Sequence, residues 1–326
     1  MSEIQPAQEH SLITQIFVSS DEPRLRAGWR LLVQTAALLL LGGCLSIPLV
    51  MVLFFLDPTL VLSIAELKPE YMLLGVIAEA FAITLSVFLA VRFLDKRSIE
   101  SLGLRLSTQT LFDILAGIGI TFLQMGFIYI AISALGWLTF EGFTWEFDPA
   151  SVVLKNVLLF FVIFIFVGWN EELLSRGYHL QTIASGINLF WGVIISSAVF
   201  GLVHLGNPHA TWISAAGIFF AGAYLAYAYI RTRQLWLPIG LHIGWNFFEG
   251  VVFGFPVSGL DIYALTRIQV HGPELWTGGP FGPEAGLIVL PALLVGAGLI
   301  YLYSKNRETS SWLKQKPRGP LSARLH

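Results

Sequence analysis

This chain is short of charge. Asp, Glu, Lys and Arg make up 12% of its 326 residues, against roughly 25% in an ordinary soluble domain. Hydrophobic residues make up 55% and the mean hydropathy is +0.72. A soluble globular protein is thereby excluded, and an integral membrane protein is expected. Cysteine is almost missing. Cys44 stands alone in an apolar run, which excludes a disulfide framework and thiolate metal clusters. The formal net charge is −2 and no basic stripe is present, so no nucleic-acid partner is expected. Residues 1–28 carry Glu3, Glu9, Asp21, Glu22, Arg24 and Arg26 but no apolar core of a secretory leader. No cleaved signal peptide is expected, and the first membrane segment targets the chain.

What the sequence has instead is a series of apolar runs. They fall at 31–56, 71–94, 111–137, 152–172, 189–206, 211–230, 235–254 and 285–303, each of a length that suits a helix crossing about 30 Å of hydrocarbon. The fifth to seventh are short, closely spaced or interrupted by Gly and Pro. The expected fold is all-α: a polytopic membrane protein of about eight transmembrane helices around a polar cavity. Lys and Arg in short loops set orientation. One set of flanks holds Arg24, Arg26, Arg30, Arg92, Lys96, Arg97, Arg105, Arg176, Arg231 and Arg233, with Lys305, Arg307, Lys314, Lys316, Arg318 and Arg324 in the tail. The other holds Lys68, Lys155 and Arg267. Both termini are therefore expected in the cytoplasm, with the protein in a bacterial cytoplasmic membrane. A seven-helix reading would put the basic tail outside.

There is no internal repeat and no long linker. We divide the chain into a polar N-terminal segment (1–28), one transmembrane domain (29–304, core motifs 90–255) and a basic cytoplasmic tail (305–326), the two ends being expected to be mobile. Phe255–Pro283, rich in Gly and Pro, is the longest outer loop and is expected to fold over the outer face.

The chemistry centres on Trp169-Asn170-Glu171-Glu172-Leu173-Leu174-Ser175-Arg176-Gly177. It follows Val152–Gly168, whose sole charge is Lys155. An ionisable group at membrane depth costs about 2.5–3.5 kcal/mol on insertion scales, so it usually faces the bundle interior and has a task there. Glu172 and Arg176 are four apart on one helical face and form a pair. Glu171 points about 100° away and is left for chemistry. Two further blocks follow: Phe200-Gly201-Leu202-Val203-His204, and His242-Ile243-Gly244-Trp245-Asn246, in which His242 and Asn246 share a face. Two imidazoles, a carboxylate and an amide can activate water in two ways. Glu171, His204 and His242 could ligate a divalent metal such as zinc. Alternatively, Glu171 alone could act as general base. Asn246 or a protonated His would then stabilise the oxyanion formed at a peptide carbonyl. Taken singly, each histidine reads as a hydrogen-bonded interior group, Glu172–Arg176 as a structural ion pair, and Asn246 as an interhelical hydrogen bond.

Together and in this order, the blocks resemble the CPBP family of intramembrane proteases (the CAAX-protease and bacteriocin-processing, or Abi, family). Its pattern is Glu-Glu-x-x-x-Arg, Phe-x-x-x-His and His-x-x-x-Asn. The resemblance is best over 90–255 and takes in 94–104 and the lead-in 235–242, while Phe281-Gly282-Pro283-Glu284 looks like a bacterial subgroup. It implies an eight-helix core with a cavity open to the cytoplasm. It also implies a hydrolytic site in which Glu171 activates water, His204 and His242 hold it or a metal, Asn246 binds the oxyanion, and Glu172 and Arg176 give support. The implied partners are a peptide or membrane-protein substrate and the lipid bilayer. Oligomeric state is not fixed by the sequence.

One feature conflicts with simple boundaries. Counted from Asn188, His204 lies about 24 Å in, while His242 lies only about 9 Å in from Trp236. Either Tyr178–Leu189 is a surface or re-entrant segment, or the fourth and fifth helices are displaced. Among other polar residues, Glu79 reads as an acid paired with a neighbour or as a second cavity carboxylate. Glu249 reads as a rim residue or an extension of the site. His179 and His209 read as loop residues, and Gln124 as an interhelical hydrogen bond. Rival functions are a non-catalytic membrane scaffold or immunity protein, and a proton-coupled transporter using Glu79, Glu171 and Glu249 as a relay.

Overall fold

The structure is a computed structural model that describes residues 16–19, 24–58 and 68–307. Most of the polar N-terminal segment, and the tail basic residues Lys314, Lys316, Arg318 and Arg324, lie outside the described residues.

Each apolar run becomes a helix. In chain order they are α1 (Ala27–Leu56), α2 (Pro69–Leu94), α3 (Thr108–Ala134), α4 (Ala150–Gly186), α5 (Leu189–Val203), α6 (Trp212–Thr232), α7 (Trp236–Asn246, continued by a π-helical segment Phe247–Val252) and α8 (Val289–Ser304). By length and composition, α1 to α6 can cross a membrane, α5 when counted with its final 3-10 turn to Gly206 (18 residues); α8, at 16 residues, is shorter, as is α7. The starts are set locally. Ser107 and Thr110 form a capping box for α3, Thr211 and Ser214 one for α6, and the Asn188 side chain accepts the Trp191 amide at 3.0 Å. Large apolar side chains such as Leu39, Leu40, Phe55, Val203 and Leu294 point outward. Such a surface suits lipid as its solvent.

Small residues let the helices approach. Gly240 and Gly244 of α7 lie against the α3 backbone at Ile114 and Ile118, and Gly117 of α3 lies against Gly240 and Leu241. A Cβ at any of the three would collide with the opposing backbone. Without a hydrophobic drive between helices in lipid, this close packing supplies the contact energy. As expected, Gln124 joins helices: it donates to the Ala292 carbonyl at 2.8 Å and accepts from Tyr224 at 2.9 Å.

The helix ends sort into two groups. At one end Asp95 is buried and ion-paired with Arg30, Arg97 and Arg24; Arg30 also donates to Ser185 at 2.8 Å. There the Leu235 amide donates to Gly103, and Gln181 donates to Leu102, both at 2.9 Å. This is the arginine- and lysine-rich end. At the opposite end a two-stranded antiparallel ribbon, β1 (Leu138–Phe143) with β2 (Thr266–Val270), adds β-structure that an all-α expectation omits. Thr139 pairs with Gln269, and a bulge between Phe140 and Gly142 shifts the register.

The depth conflict resolves in favour of displacement. Tyr178 to Gly186 is neither a surface nor a re-entrant segment; it continues α4, a helix of 37 residues. Consequently α4 and α5 project together as a hairpin. Glu171 lies about 22 Å before Gly186, and His204 about 22 Å after Leu189. Helix α7 starts further up, where Leu235 packs against Gly177. His242 therefore needs only a short climb to reach the same level. His179 also proves to be helical rather than a loop residue.

Candidate active site

Three helices bring the expected residues together. Glu171 and Glu172 are the last turn of regular α-helix in α4 before the π-helical stretch Leu173–His179. Such stretches shift the side-chain register and recur at functional sites. His204 ends α5, and His242 and Asn246 sit one turn apart on α7.

The two imidazoles converge on one oxygen. His242 Nε2 lies 3.6 Å and His204 Nε2 3.8 Å from Oε2 of Glu171. That oxygen is buried and has no hydrogen-bond partner among the described residues. The distances exceed a direct hydrogen bond and suit one small bridging group. The other ring nitrogens are committed. His204 Nδ1 lies 2.8 Å from the Phe200 carbonyl, and His242 Nδ1 lies 2.8 Å from Glu172 Oε1. Both partners are acceptors, so each Nδ1 carries a proton, and each ring turns its Nε2 toward Glu171.

Glu172 is fully buried and bridges two partners through Oε1: His242, and Arg176 Nη1 at 2.8 Å. Arg176, also buried, donates through Nη2 to the Gly222 carbonyl at 3.0 Å, and its guanidinium lies over the Phe200 ring at 4.3 Å. The expected pair is therefore present, but it does more than neutralise itself. It fixes the orientation of His242 and ties α4 to α5 and α6.

A cavity of about 240 Å³ joins these groups. Glu171, His204, His242 and Asn246 all line it, with Met72, Val76, Ile218 and Trp245 among the apolar walls. The cavity also contains an acid that motif spacing missed. Glu284 accepts Trp245 Nε1 at 3.1 Å and the Ser258 hydroxyl at 2.5 Å. Burial pushes its carboxyl above the usual carboxylate range. Its backbone lies against Gly217 of α6, where any Cβ would collide with it. The available signal was an acid placed directly after Gly282-Pro283, at the end of the Gly- and Pro-rich loop.

The remaining two acids lie behind the cavity wall. Glu79 accepts from Asn170 at 3.3 Å and does not line the cavity, which is the neighbour-paired reading. Glu249 is fully buried beside Gly282, not on the rim, and does not line the cavity either. The three glutamates of the relay thus share no cavity. As for a metal, ligands of a tetrahedral zinc stand about 3.3 Å apart. The donors here stand a few tenths of an ångström wider, and among the described residues no three His, Cys, Asp or Glu side chains are grouped to hold an ion as they stand. A divalent ion bound here would be held by Glu171, His204 and His242; the chemistry below is written through water.

These features define a polar site at membrane depth, with a buried carboxylate and two oriented imidazoles. Known proteins share the segment that builds it. Residues 153–248, which hold all three blocks, match the family described as type II CAAX prenyl endopeptidase Rce1-like. The Bacillus subtilis (strain 168) protein YdiL, named as a candidate membrane peptidase, is 32% identical over 119 residues, or 36% of this chain. The chain spans about half (47%) of that relative's length. No solved structure matches significantly. The chain is thus similar to this family and to that relative over a segment that includes the three motif blocks.

Proposed function

We propose that the protein is an intramembrane endopeptidase with eight crossings and both termini in the cytoplasm. It hydrolyses a peptide bond of a membrane-associated protein or peptide. The observation that carries this reading is the convergence of His204 and His242 on Oε2 of Glu171 inside one cavity.

In this reading a water molecule sits among the three groups and donates its two hydrogens to two of them. An imidazole Nε2 accepts one of its hydrogens and orients it. Glu171 takes the other proton as the oxygen attacks the carbonyl carbon, which forms the tetrahedral intermediate. Asn246, on the same wall, donates its amide N–H to the developing oxyanion. Glu171 then passes its proton to the leaving amine as the C–N bond breaks. Glu172 holds His242 in the tautomer that presents Nε2, and Arg176 holds Glu172 in place. The surrounding low dielectric strengthens each of these interactions.

The test is cleavage of peptides by purified protein in detergent. Glu171→Gln, His204→Ala and His242→Ala are each expected to lower the rate by about 10²–10⁴-fold while the protein stays folded. Full activity in any two of them ends the proposal. A scaffold or immunity role would instead leave biological function intact in Glu171→Gln.

A further inference from the structure

Two expectations from the sequence are incompatible in this structure. The family resemblance implies a cavity open to the cytoplasm. The distribution of Lys and Arg puts the basic helix ends in the cytoplasm. The cavity and the basic ends lie at opposite ends of the bundle.

The bundle's cross-links establish this. At the basic end, Arg30 joins Ser185 and Asp95, Gln181 joins Leu102, Leu235 joins Gly103, and Arg231 donates to Ser304 at 2.9 Å. These bonds gather the start of α1, the end of α2, the α4–α5 turn, the α6–α7 turn and the end of α8 on one side. On the other side Asn207 donates to the Ser258 carbonyl at 3.1 Å, and the Gly259 amide to Phe281 at 2.8 Å. Every connecting-loop residue that lines the cavity comes from that second side: Asn207, Val257, Ser258, Leu260 and Glu284. Toward the basic end, the buried side chains of Leu173, Tyr178, Leu235 and Ile239 pack together beneath the site.

The charge asymmetry is large. Of 19 Lys and Arg, only Lys68, Lys155 and Arg267 belong to the cavity side, and Arg176 is buried at the site. The other residues flank the basic end or continue into the tail. Such a bias in short loops sets orientation during insertion.

We propose that the cavity receives its substrate from the non-cytoplasmic side, as an apolar stretch of peptide presented at the outer face of the membrane. This rests on the protease reading above. A cytoplasmic C-terminal tail would have no path to Glu171 through the packed layer of Leu173, Tyr178, Leu235 and Ile239. The walls at Met72, Val76, Ile218 and Leu260 suit apolar side chains, with Glu284 as the polar group facing them.

Thiol labelling tests the sidedness without using activity. In a Cys44→Ser background, Asp261→Cys places a thiol in the exposed loop beside the cavity, and Glu100→Cys places one at the basic end. Treating intact cells with a membrane-impermeant maleimide is expected to label the Asp261→Cys protein and to spare Glu100→Cys until the cells are permeabilised. Protection of Asp261→Cys in intact cells overturns the proposal, and so does labelling of Glu100→Cys there. The second arm uses vesicles of known orientation and an apolar peptide with charged flanks that cannot cross. Cleavage is expected only in right-side-out vesicles, and cleavage confined to inverted ones overturns the proposal. Labelling as expected with no cleavage in either orientation would sink the protease reading and leave the orientation standing.

Discussion

His242 Nδ1 and Glu172 Oε1 lie 2.8 Å apart, and that same oxygen accepts Arg176 Nη1. A carboxylate that orients an imidazole acts on the reaction only through it. Glu172→Gln is expected to lower kcat by about 10–100-fold with little change in KM, as for other groups that orient a functional histidine. Peptide kinetics in detergent check this, and an unchanged kcat would remove Glu172 from the mechanism.

Arg176 is buried with Glu172 as its charged partner. Removing one member of such a pair leaves an uncompensated charge and costs about 3–5 kcal/mol. Arg176→Ala is therefore expected to lower thermal stability sharply in detergent. The double variant Glu172→Gln, Arg176→Met should recover much of that loss without recovering activity. Scanning fluorimetry alongside cleavage separates the two effects.

Asn246 lines the cavity one turn from His242. If its amide meets the oxyanion, Asn246→Ala should lower kcat by about 10²–10³-fold with KM little altered. An effect on KM alone would make it a substrate-binding group instead.

Burial raises the folded pKa of Glu284 above the usual carboxylate range. A raised acid binds its proton more tightly in the folded state than in the unfolded chain. Its neutral form is compatible with the fold at low pH, and stability falls as pH rises above the unfolded pKa of about 4.3. Glu284→Gln removes that penalty. The variant's melting temperature, relative to the parent, should improve more at pH 8 than at pH 5. Equal differences at both values would show that Glu284 is not desolvated in solution.

The spacing of the donors around Glu171 Oε2 leads to a further expectation: exhaustive treatment with a chelator leaves peptide cleavage intact. Loss of activity restored by zinc would replace the water mechanism with a metal-assisted one, using Glu171, His204 and His242 as ligands. Metal analysis of the purified protein decides the same point independently.

The apolar runs and the three motif blocks were legible because each depends on local pattern. Helix length in lipid follows from hydropathy, and spacing of four puts two side chains on one helical face. The sequence by itself therefore determined the membrane class and the helical segments, and singled out Glu171, Glu172, Arg176, His204, His242 and Asn246 as candidates. Only the tertiary structure decided their depth and their partners. The continuation of α4 through its π-helical stretch to Gly186 depends on packing against α1, α2 and α5. Glu284 reaches the cavity through a loop closed by Gly217, Trp245 and Ser258, contacts distant in sequence. The side of the bundle on which the cavity lies was likewise invisible to spacing, because it depends on which connecting loops cover it. Local periodicity specifies faces and lengths, but relative displacement between helices is set by side chains meeting across them.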